Sequence, residues 1–244
     1  MSLPVLIHPD LRGAAPGQSV HLDGAEGRHA VTVKRLKPTE KLELIDGTGR
    51  VVTAEVTGTA GKDQLDAAVT AVREEPAPHP KVVVVQAIPK SERAELAVDL
   101  ATQAGADEII AWQADRCVAK WEGKKIPKAL AKWEAAAQAA AKQSRRARIP
   151  QVRGPVSTGE LTQLLAQADH ALVLHEEATR SIREAQLSGT VYLLVGPEGG
   201  IGSVELERLT QAGAQPIKLG PQVLRTASAA MVALAAIGAL TERW

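Results

Sequence analysis

The stretch that decides the fold is Val191-Tyr192-Leu193-Leu194-Val195-Gly196-Pro197-Glu198-Gly199-Gly200-Ile201-Gly202-Ser203. An apolar strand runs into a glycine-rich turn and then into a helix that starts near Ser203. Glycines let the backbone approach a ligand closely, and ligands of open α/β sheets bind beyond the carboxyl ends of the strands. The turn has neither the Lys-Ser/Thr of a P-loop nor the G-x-G-x-x-G spacing. It therefore predicts either a ligand-binding loop or a plain strand-to-helix connection.

The same alternation of strand and helix extends over residues 80–244. The apolar run 82–88 is typical of a strand buried on both faces. A helix should follow from Ser91, its N-cap, to Ala104, where Gly105 stops it, and Pro127 should open an Ala-rich helix that ends near Arg146. Further strands are predicted at 108–112, 171–174 and 216–219, and further helices at 203–212 and 228–242, the last apolar nearly all round and so buried. This alternation predicts an α/β domain with a parallel sheet covered by helices.

Residues 1–75 show a different pattern, typical of a small antiparallel β-barrel. Short, partly alternating strands are predicted at 20–22, 41–45 and 50–56, and Asp46-Gly47-Thr48-Gly49 joins the last two as a hairpin turn. The segment 74–80 carries three prolines, which stop both helix and strand and stiffen a linker. The sequence thus predicts two domains, 1–75 and 80–244.

The composition limits the kind of protein. Of 244 residues, 45% are apolar and 23% charged, as in ordinary soluble proteins. A net charge of +1 means that any nucleic acid must be bound by local cationic clusters, and an aromatic content of 2% leaves few rings to stack on bases. The single cysteine, Cys117, excludes an internal disulfide, and no metal-type spacing is present. Without a signal peptide or an apolar run of the ~20 residues that span a bilayer, we expect a cytoplasmic protein with no metal and no membrane anchor.

A second loop near the C-terminus has the features of a pocket wall. The strand 216–219 ends in Gly220-Pro221, and a short loop then carries Arg225 into the final helix. If this strand is parallel to the strand 191–195, the two loops meet at one edge of the sheet and form a pocket. An Arg in front of such a helix is otherwise a surface or capping residue.

Polar and cationic residues add further candidates for binding. His175, Glu176 and Glu177 follow the strand 171–174, either as ligand-loop residues or as a solvated strand end. An RNA backbone needs several cations on one face, whereas cations at the end of a helix also simply suit its dipole. The cationic candidates are Lys142, Arg145, Arg146 and Arg148 at the end of the Ala-rich helix, Lys90 and Arg93 after the first strand of the second domain, and Arg28, Lys34, Arg35 and Lys37 in the first domain.

Taken together, these motifs resemble the ribosomal RNA small subunit methyltransferase E family, knotted methyltransferases of the SPOUT class that act on N3 of a uridine in 16S rRNA. The most specific likeness is the pair Leu194-Val195-Gly196-Pro197-Glu198-Gly199-Gly200 and Leu219-Gly220-Pro221-Gln222-Val223-Leu224-Arg225-Thr226. Other matching motifs, in the family's order, are Arg28-His29, Val33-Lys34-Arg35, Asp46-Gly47-Thr48-Gly49, Ile88-Pro89-Lys90 with Arg93, Asp115-Arg116-Cys117-Val118 and Ala141-Lys142-Gln143-Ser144-Arg145-Arg146 with Pro150. The resemblance covers nearly the whole chain.

The resemblance implies a fold, a cofactor and partners. Residues 1–75 would form a PUA-like RNA-docking barrel, and 80–244 a catalytic domain whose C-terminal part is threaded as a trefoil knot and holds S-adenosylmethionine. The partners would be 16S rRNA or the 30S subunit and a second copy in a homodimer. The cofactor would be bound by Leu174, His175, Val195, Gly196, Glu198, Gly200, Leu219, Gly220, Leu224 and Thr226. The RNA would be bound by Arg28, Lys34, Arg35, Lys90, Arg93, Arg145 and Arg146.

The implied chemistry points to one catalytic residue. Uracil N3 is an imide nitrogen that must lose its proton, and the negative charge then spreads onto two carbonyl oxygens, where a cation stabilises it. Arg225 is the predicted catalytic residue, acting on those oxygens or on the nucleotide's phosphate. No general base stands out, because Glu198 would equally serve as a cap of the next helix. The family usually has Thr-Glu-Thr where this chain has Thr226-Ala227-Ser228, so any role of that Glu is absent.

Other functions stay open at this point. The same fold would serve a non-catalytic RNA-binding or assembly factor, or a methyltransferase of another rRNA or tRNA nucleotide. A nucleotide-using enzyme such as an ATPase is disfavoured by the missing P-loop Lys. The sequence specifies neither the exact nucleotide nor whether free rRNA or the assembled 30S subunit is the substrate.

Overall fold

A computed structural model describes residues 3–244, apart from the side chains of residues 91 and 92. The chain forms two compact units. The first comprises the described residues up to Ala77 together with Ala141–Ile149, and the second comprises Pro78–Ala140 and Pro150–Trp244. The boundary between Ala77 and Pro78 falls inside the linker expected at 74–80. The segment 141–149, which the sequence places in the second domain, belongs to the first unit.

The first unit is built on a mixed five-stranded sheet. Its strands are β1 (Val5–Ile7), β2 (Ser19–Leu22), β3 (Lys41–Ile45), β4 (Arg50–Ala60) and β5 (Gln64–Glu74), in the spatial order β1-β3-β4-β5-β2. Alternate side chains of β3, β4 and β5 enter one apolar core. The expectation of a purely antiparallel sheet is wrong at one edge, because β1 pairs parallel with β3. A short helix α1 (Gly24–Arg28) and a π-helical turn (His29–Val33), neither of them predicted, follow β2.

The segment 141–149 completes the first unit through a second, smaller cluster. The buried members of this cluster are Val5, Ile45, Val51 and Ala147. Beside it, the Nη2 of Arg148 donates to the carbonyl oxygen of Glu75 at 2.8 Å. A Cβ at Gly49 would lie 2.6 Å from that nitrogen, and Gly49 has a φ of +119°. Glycine is therefore required there both by the backbone and by the path of the Arg148 side chain.

The second unit confirms the predicted parallel sheet with helices. Its strands, in the order β11-β9-β10-β6-β7-β8, are all paired parallel. Residues 82–87 of β6 are all buried, as a central parallel strand requires. The strand bounds are β6 (Lys81–Ala87), β7 (Glu108–Gln113), β8 (Gln151–Ser157), β9 (His170–Leu174), β10 (Thr190–Val195) and β11 (Ala214–Ile217). The helices are α2 (Ser91–Gln103), α3 (Lys125–Ser144), α4 (Thr158–Leu165), α5 (Ser203–Gln211) and α6 (Thr226–Leu240), with a 3-10 turn at Ile182–Glu184.

Two neighbouring elements, β8 and α4, are absent from the sequence-based assignment. β8 lies at the edge of the sheet and is half-exposed along much of its length, and Gly154-Pro155 interrupts its apolar pattern. α4 does carry a recognisable signal. The Ser157 hydroxyl accepts from the backbone N–H of Glu160, and the Glu160 carboxylate accepts from that of Ser157, which is a capping box.

Some predicted element ends are also corrected. The N-cap position of α2 is occupied by Lys90, and Ser91 is already the first helical residue. α6 and β11 each begin two residues before their predicted starts. α6 is not buried all round, because one face packs on the sheet and on α2 while Met231 and Val232 stay 39% and 40% exposed.

Candidate functional site

A cavity of about 530 Å³ lies at the carboxyl ends of three neighbouring strands of the second unit. Leu174 ends β9, Val195 ends β10 and Ile217 ends β11, and all three line it. This is the sheet edge at which open α/β folds bind ligands. The other lining residues are Arg93, Arg116, His175, Glu176, Gly196, Pro197, Glu198, Gly199, Gly200, Ile201, Lys218, Leu219, Gly220, Gln222, Val223, Leu224, Arg225, Thr226 and Ala229.

The structure thus brings together the residues singled out for a ligand. All ten residues predicted to contact a cofactor line this cavity, together with Arg225 and Arg93. Lys90 does not line it. The predicted meeting of the two loops, one after β10 and one after β11, is therefore observed as geometry.

Glycines give the cavity its open space. A Cβ built at Gly200 meets no atom within 4 Å, and one at Gly220 meets only Gln222 Oε1, at 3.5 Å. Gly200 has a φ of +68°, the left-handed conformation that favours glycine. Glycine is required at position 196 for a different reason: a Cβ there would lie 2.8 Å from the Cγ1 of Ile201, which is too close. The turn is thus shaped both by its own packing and by the room left in front of it.

The Thr226 hydroxyl ties the two loops to the sheet. It donates to the carbonyl oxygen of Gly196 at 2.7 Å and accepts from Nε2 of Gln86 at 3.0 Å. Gln86 is buried near the end of β6, so one hydroxyl links the start of α6 to the ends of β10 and β6. Thr226 therefore fixes the shape of the cavity wall.

We expect Thr226→Val to lower the free energy of unfolding by about 1–3 kcal/mol. The isosteric side chain leaves the carbonyl oxygen of Gly196 without its hydroxyl donor in a part-buried position. Urea denaturation of the variant and the wild type measures the loss. Thr210→Val is the matched control, because the Thr210 hydroxyl donates to Leu206 on an exposed helix surface and its loss should stay within about 0.5 kcal/mol. Equal losses in the two variants would contradict the bridging role.

Glu198 acts as a helix-terminus acceptor in this structure. Its Oε1 accepts from the backbone N–H of Lys90 at 3.1 Å, at the N-cap position of α2. The capping alternative is therefore observed, but on α2 rather than on the next helix, α5, as the sequence suggested.

Arg225 combines a fixed backbone with an uncommitted side chain. It is the N-cap residue of α6, and its carbonyl oxygen accepts from the backbone N–H groups of Ser228 and Ala229 at 2.9 and 3.0 Å. Its side chain is exposed at the cavity, and within residues 3–244 no hydrogen bond or ion pair engages its guanidinium. Its side chain does not cap α6, although its backbone occupies the N-cap position.

His175 holds the loop after β9 beside β11. Its backbone N–H donates to the carbonyl oxygen of Ile217 at 3.1 Å, and its Nδ1 accepts from the backbone N–H of Glu177 at 3.3 Å. The same loop meets the segment after β11 again, where Ser181 bridges Lys218. His175 therefore shapes the loop as well as lining the cavity.

Arg116 lines the cavity although the motif Asp115-Arg116-Cys117-Val118 did not predict it as a site residue. Its Nη1 donates to the carbonyl oxygen of Gly199 at 3.1 Å, and a Cβ at Gly202 would lie 3.3 Å from its Nε. The signal was its position just past the carboxyl end of β7, the same edge as the other loops. Arg116 packs on the glycine turn and faces the cavity.

The single cysteine lies where its protonated, unreactive form is favoured. Cys117 is buried, and burial raises the pKa of its thiol to about 11. At neutral pH the thiol is therefore protonated, and the thiolate is the reactive form.

The described residues contain no group of three His, Cys, Asp or Glu side chains placed to hold a metal ion. The helices found in them include none able to cross a membrane.

The cations predicted to bind RNA are distributed over both units. Arg28, Lys34, Arg35 and Arg145 are exposed in the first unit, and Arg146 is half-buried there. Two further cations of the segment 142–148 make hydrogen bonds within the first unit. Arg148 Nη2 donates to the carbonyl oxygen of Glu75, and Lys142 Nζ donates to Glu26 Oε1 at 2.6 Å. Lys90 and Arg93 belong to the second unit.

Comparison with known proteins identifies the class of protein to which this site belongs. The family model of the RNA methyltransferase domain matches residues 75–238, and that of the RNA methyltransferase PUA domain matches residues 22–70. The chain is 52% identical over 229 residues to the ribosomal RNA small subunit methyltransferase E of Mycobacterium bovis, covering 91% of this chain and 87% of that protein. It is 32% identical over 231 residues to the Bacillus subtilis protein of the same name, covering 91% and 90%.

A solved structure agrees with the sequence relatives. The crystal structure of a ribosomal RNA small subunit methyltransferase E from Neisseria gonorrhoeae bound to S-adenosyl methionine matches with a TM-score of 0.87 and 26% identity, covering 98% of each chain. The fold and the site therefore define an RNA methyltransferase with an N-terminal PUA domain. More specifically, this chain belongs to the ribosomal RNA small subunit methyltransferase E family.

Proposed function

We propose that this protein transfers a methyl group from S-adenosylmethionine to N3 of one uridine in the 16S rRNA of the small ribosomal subunit, in the cytoplasm. The main observation behind the proposal is that the loops after β10 and β11, which carry the paired motifs, line one cavity together, and that Arg225 is exposed at the same cavity. The relatives' names supply the rRNA substrate class. The position N3 follows from the resemblance of the paired loops to the family motif.

The cavity has the properties that S-adenosylmethionine requires. Its volume of about 530 Å³ lies in the range of small-molecule sites. Leu174, Leu219 and Leu224 offer apolar surface, while the glycine positions 196, 200 and 220 expose backbone groups next to open space. We propose these residues as the cofactor's holders, mostly through their backbone. When bound there, the cofactor supplies an electrophilic methyl group on a sulfonium.

The chain's own contribution to the chemistry is electrostatic. Deprotonation of the uracil imide spreads negative charge over two carbonyl oxygens, and a fixed cation beside them lowers the barrier. Arg225 meets the requirement, because its backbone is fixed at the start of α6 and its guanidinium is uncommitted in the described residues. We assign no side chain as general base, and in this proposal the imide proton leaves to solvent.

Three finer features of the family also belong to the proposal. The trefoil knot is supported by the return of the chain after β11 to the end of β10, where Thr226 bonds Gly196. The PUA-like barrel is supported by the five-stranded sheet of the first unit and its matching family model. The homodimer is supported by the apolar side chains Leu96, Met231 and Val232, which α2 and α6 leave exposed.

The first unit is the proposed RNA-docking domain, and its cations give a prediction. We expect combined Arg28→Gln, Lys34→Gln and Arg35→Gln changes to weaken 16S rRNA binding and to lower its log–log salt slope by about 0.7–0.9 per lost phosphate contact. The affinity for S-adenosylmethionine should not change. Filter binding over a salt series measures the slope. An unchanged slope would contradict the proposal that these cations of the first unit contact RNA phosphates. Deletion of residues 1–75 is less suitable, because it would strip Ala147 of its buried cluster.

The proposed activity is tested by transfer of a labelled methyl group. The protein is incubated with labelled S-adenosylmethionine and with 30S subunits, or free 16S rRNA, from a strain that lacks the enzyme. We expect label in 16S rRNA, recovered as 3-methyluridine after digestion to nucleosides. Binding of RNA without transfer would instead favour a non-catalytic assembly factor, and label in another nucleoside would reject the N3 assignment.

A further inference from the structure

We propose that the connection between β7 and α3, residues 114–124, is a pre-ordered phosphate-binding arm that holds the RNA backbone next to the target nucleotide. The inference rests on the proposed function and adds a contact surface on the second unit, separate from the RNA-docking cations of the first. Three sets of observations support it: the arm is fixed at both ends, it presents uncommitted cations, and it begins at the cavity.

The end of the arm near the cavity is fixed by a buried carboxylate. Glu205, which is 1% exposed, accepts through Oε1 from the backbone N–H of Asp115 at 2.9 Å and from the Thr158 hydroxyl at 2.6 Å. The Thr158 hydroxyl in turn accepts from Nε1 of Trp112 at 3.0 Å. Burying a carboxylate is costly unless it is well bonded, and the second oxygen of Glu205 has no partner in the described residues. This costly arrangement fixes the residue that precedes Arg116.

The far end of the arm is fixed by an amide clamp and by two indoles. Nε2 of Gln113 donates to the carbonyl oxygen of Ala119, and Oε1 of Gln113 accepts from the backbone N–H of Trp121, both at 3.1 Å. The Trp121 ring meets the ring of Trp133 edge-on, with centroids 4.9 Å apart. The arm is therefore ordered before any ligand arrives, which reduces the entropy lost on binding.

The arm exposes three cations, Arg116, Lys120 and Lys124, and two carboxylates, Asp115 and Glu122, so its cations outnumber its anions by one. Lys120 and Lys124 are exposed, and in the described part of the chain no hydrogen bond or ion pair engages either ammonium group. Lys125 and Lys128 continue the run into the first turn of α3, which has no acidic residue. Cations are unfavourable at that end of a helix dipole, so helix stability does not account for them. A bound phosphate would offset this unfavourable placement.

Of residues 114–124 only Arg116 lines the cavity, so the lysines of the arm lie outside it, where the RNA chain flanking a bound target nucleotide would continue. Arg116 uses Nη1 on the carbonyl oxygen of Gly199, and within residues 3–244 its remaining N–H groups have no acceptor. A guanidinium fork of this kind matches a phosphate. A strand whose target base enters the cavity would meet Arg116 first and then the lysines along the arm. The expected ligand is therefore the phosphodiester backbone that flanks the target nucleotide.

The test compares two charge-matched double variants. Lys120→Gln with Lys124→Gln removes two cations of the arm, and Arg183→Gln with Arg208→Gln removes two exposed cations of the same unit that do not line the cavity. The arm variant should lower the salt slope of 16S rRNA binding by about 1.4–1.8. It should also raise KM for 30S subunits on the order of 10-fold, with kcat and S-adenosylmethionine affinity unchanged. The control variant should match the wild type.

Several results would overturn the proposal. The first is an arm variant with the wild-type salt slope and KM, and the second is an equal change of slope and KM in the arm and control variants. The third is a loss of S-adenosylmethionine affinity in the arm variant, which would make the arm a structural wall of the cofactor cavity. Failure of the proposed function is distinguishable. If the wild type transfers no methyl group but binds 16S rRNA, the salt slopes still test the arm.

Discussion

Arg225→Ala is expected to lower methyl transfer by ~100-fold or more, while folding, dimerisation and S-adenosylmethionine affinity stay at wild-type values. The reason is the combination found at this residue: a backbone fixed as the N-cap of α6 and a guanidinium exposed at the cavity with no partner in the described residues. A cation held in place in this way stabilises charge that develops in the transition state without reorganising. Single-turnover rates with 30S subunits measure the loss.

Two further variants sharpen the Arg225 experiment. Arg225→Lys should recover little, because a point charge does not reproduce a planar fork. Arg208→Ala, which removes an exposed Arg from α5 outside the cavity, should keep full activity. An Arg225→Ala protein that unfolds or dissociates would make the residue structural. One that stays active would make the assignment wrong, and His175 would become the next residue to test.

The second large effect is expected from Gly220→Val, which should weaken S-adenosylmethionine binding by at least ~100-fold, because new methyl groups would occupy the ligand's space. Gly220 lines the cavity, and a Cβ there meets only Gln222 Oε1, at 3.5 Å. Its φ is not in the left-handed region, so the backbone at this position accepts a Cβ without strain. Gly200→Val would also fill the cavity, but a β-branched residue at a φ of +68° adds backbone strain. Titration calorimetry measures the affinity of each variant.

Gly159→Val is the matched control for the cavity experiment. Gly159 is an exposed residue of α4 with open surroundings and no left-handed φ, so the same side chain is added to the same unit away from the cavity. The control should bind S-adenosylmethionine like the wild type. Wild-type affinity in Gly220→Val would show that the ligand does not use this part of the cavity.

Local pattern predicts the second unit well where strands are buried on both faces. The central strand β6 appears in the sequence as the apolar run Val82–Val85 because water reaches neither of its faces, and Gln86 near its end is a buried polar exception. β8 is missed because an edge strand needs no such run, and its Gly154-Pro155 pair resembles a turn. The cavity follows from the same reasoning, since strands known to be parallel place their following loops at one edge.

The local sequence pattern does not predict which residues distant in sequence contact each other. Nothing near Ala147 indicates that it joins the core of the first unit rather than that of the second, because this depends on which apolar cluster its neighbours reach. Likewise, Glu198 looked like a cap for the helix that follows it, whereas the observed acceptor site is on α2, far away in sequence. The role of Arg225 came from a family resemblance, and the structure adds to it the absence of a competing partner among residues 3–244.

The central claim is that this chain methylates N3 of one uridine in 16S rRNA, and reverse transcription of the treated RNA tests it most directly. A methyl group on N3 blocks the Watson–Crick face of uracil, so the transcriptase stops beside that nucleotide. The account predicts one new stop, at a single uridine, that requires the protein together with S-adenosylmethionine and forms ~100-fold more slowly or not at all with Arg225→Ala. RNA that carries the transferred methyl group but gives no stop, or stops at several unrelated positions, would contradict it.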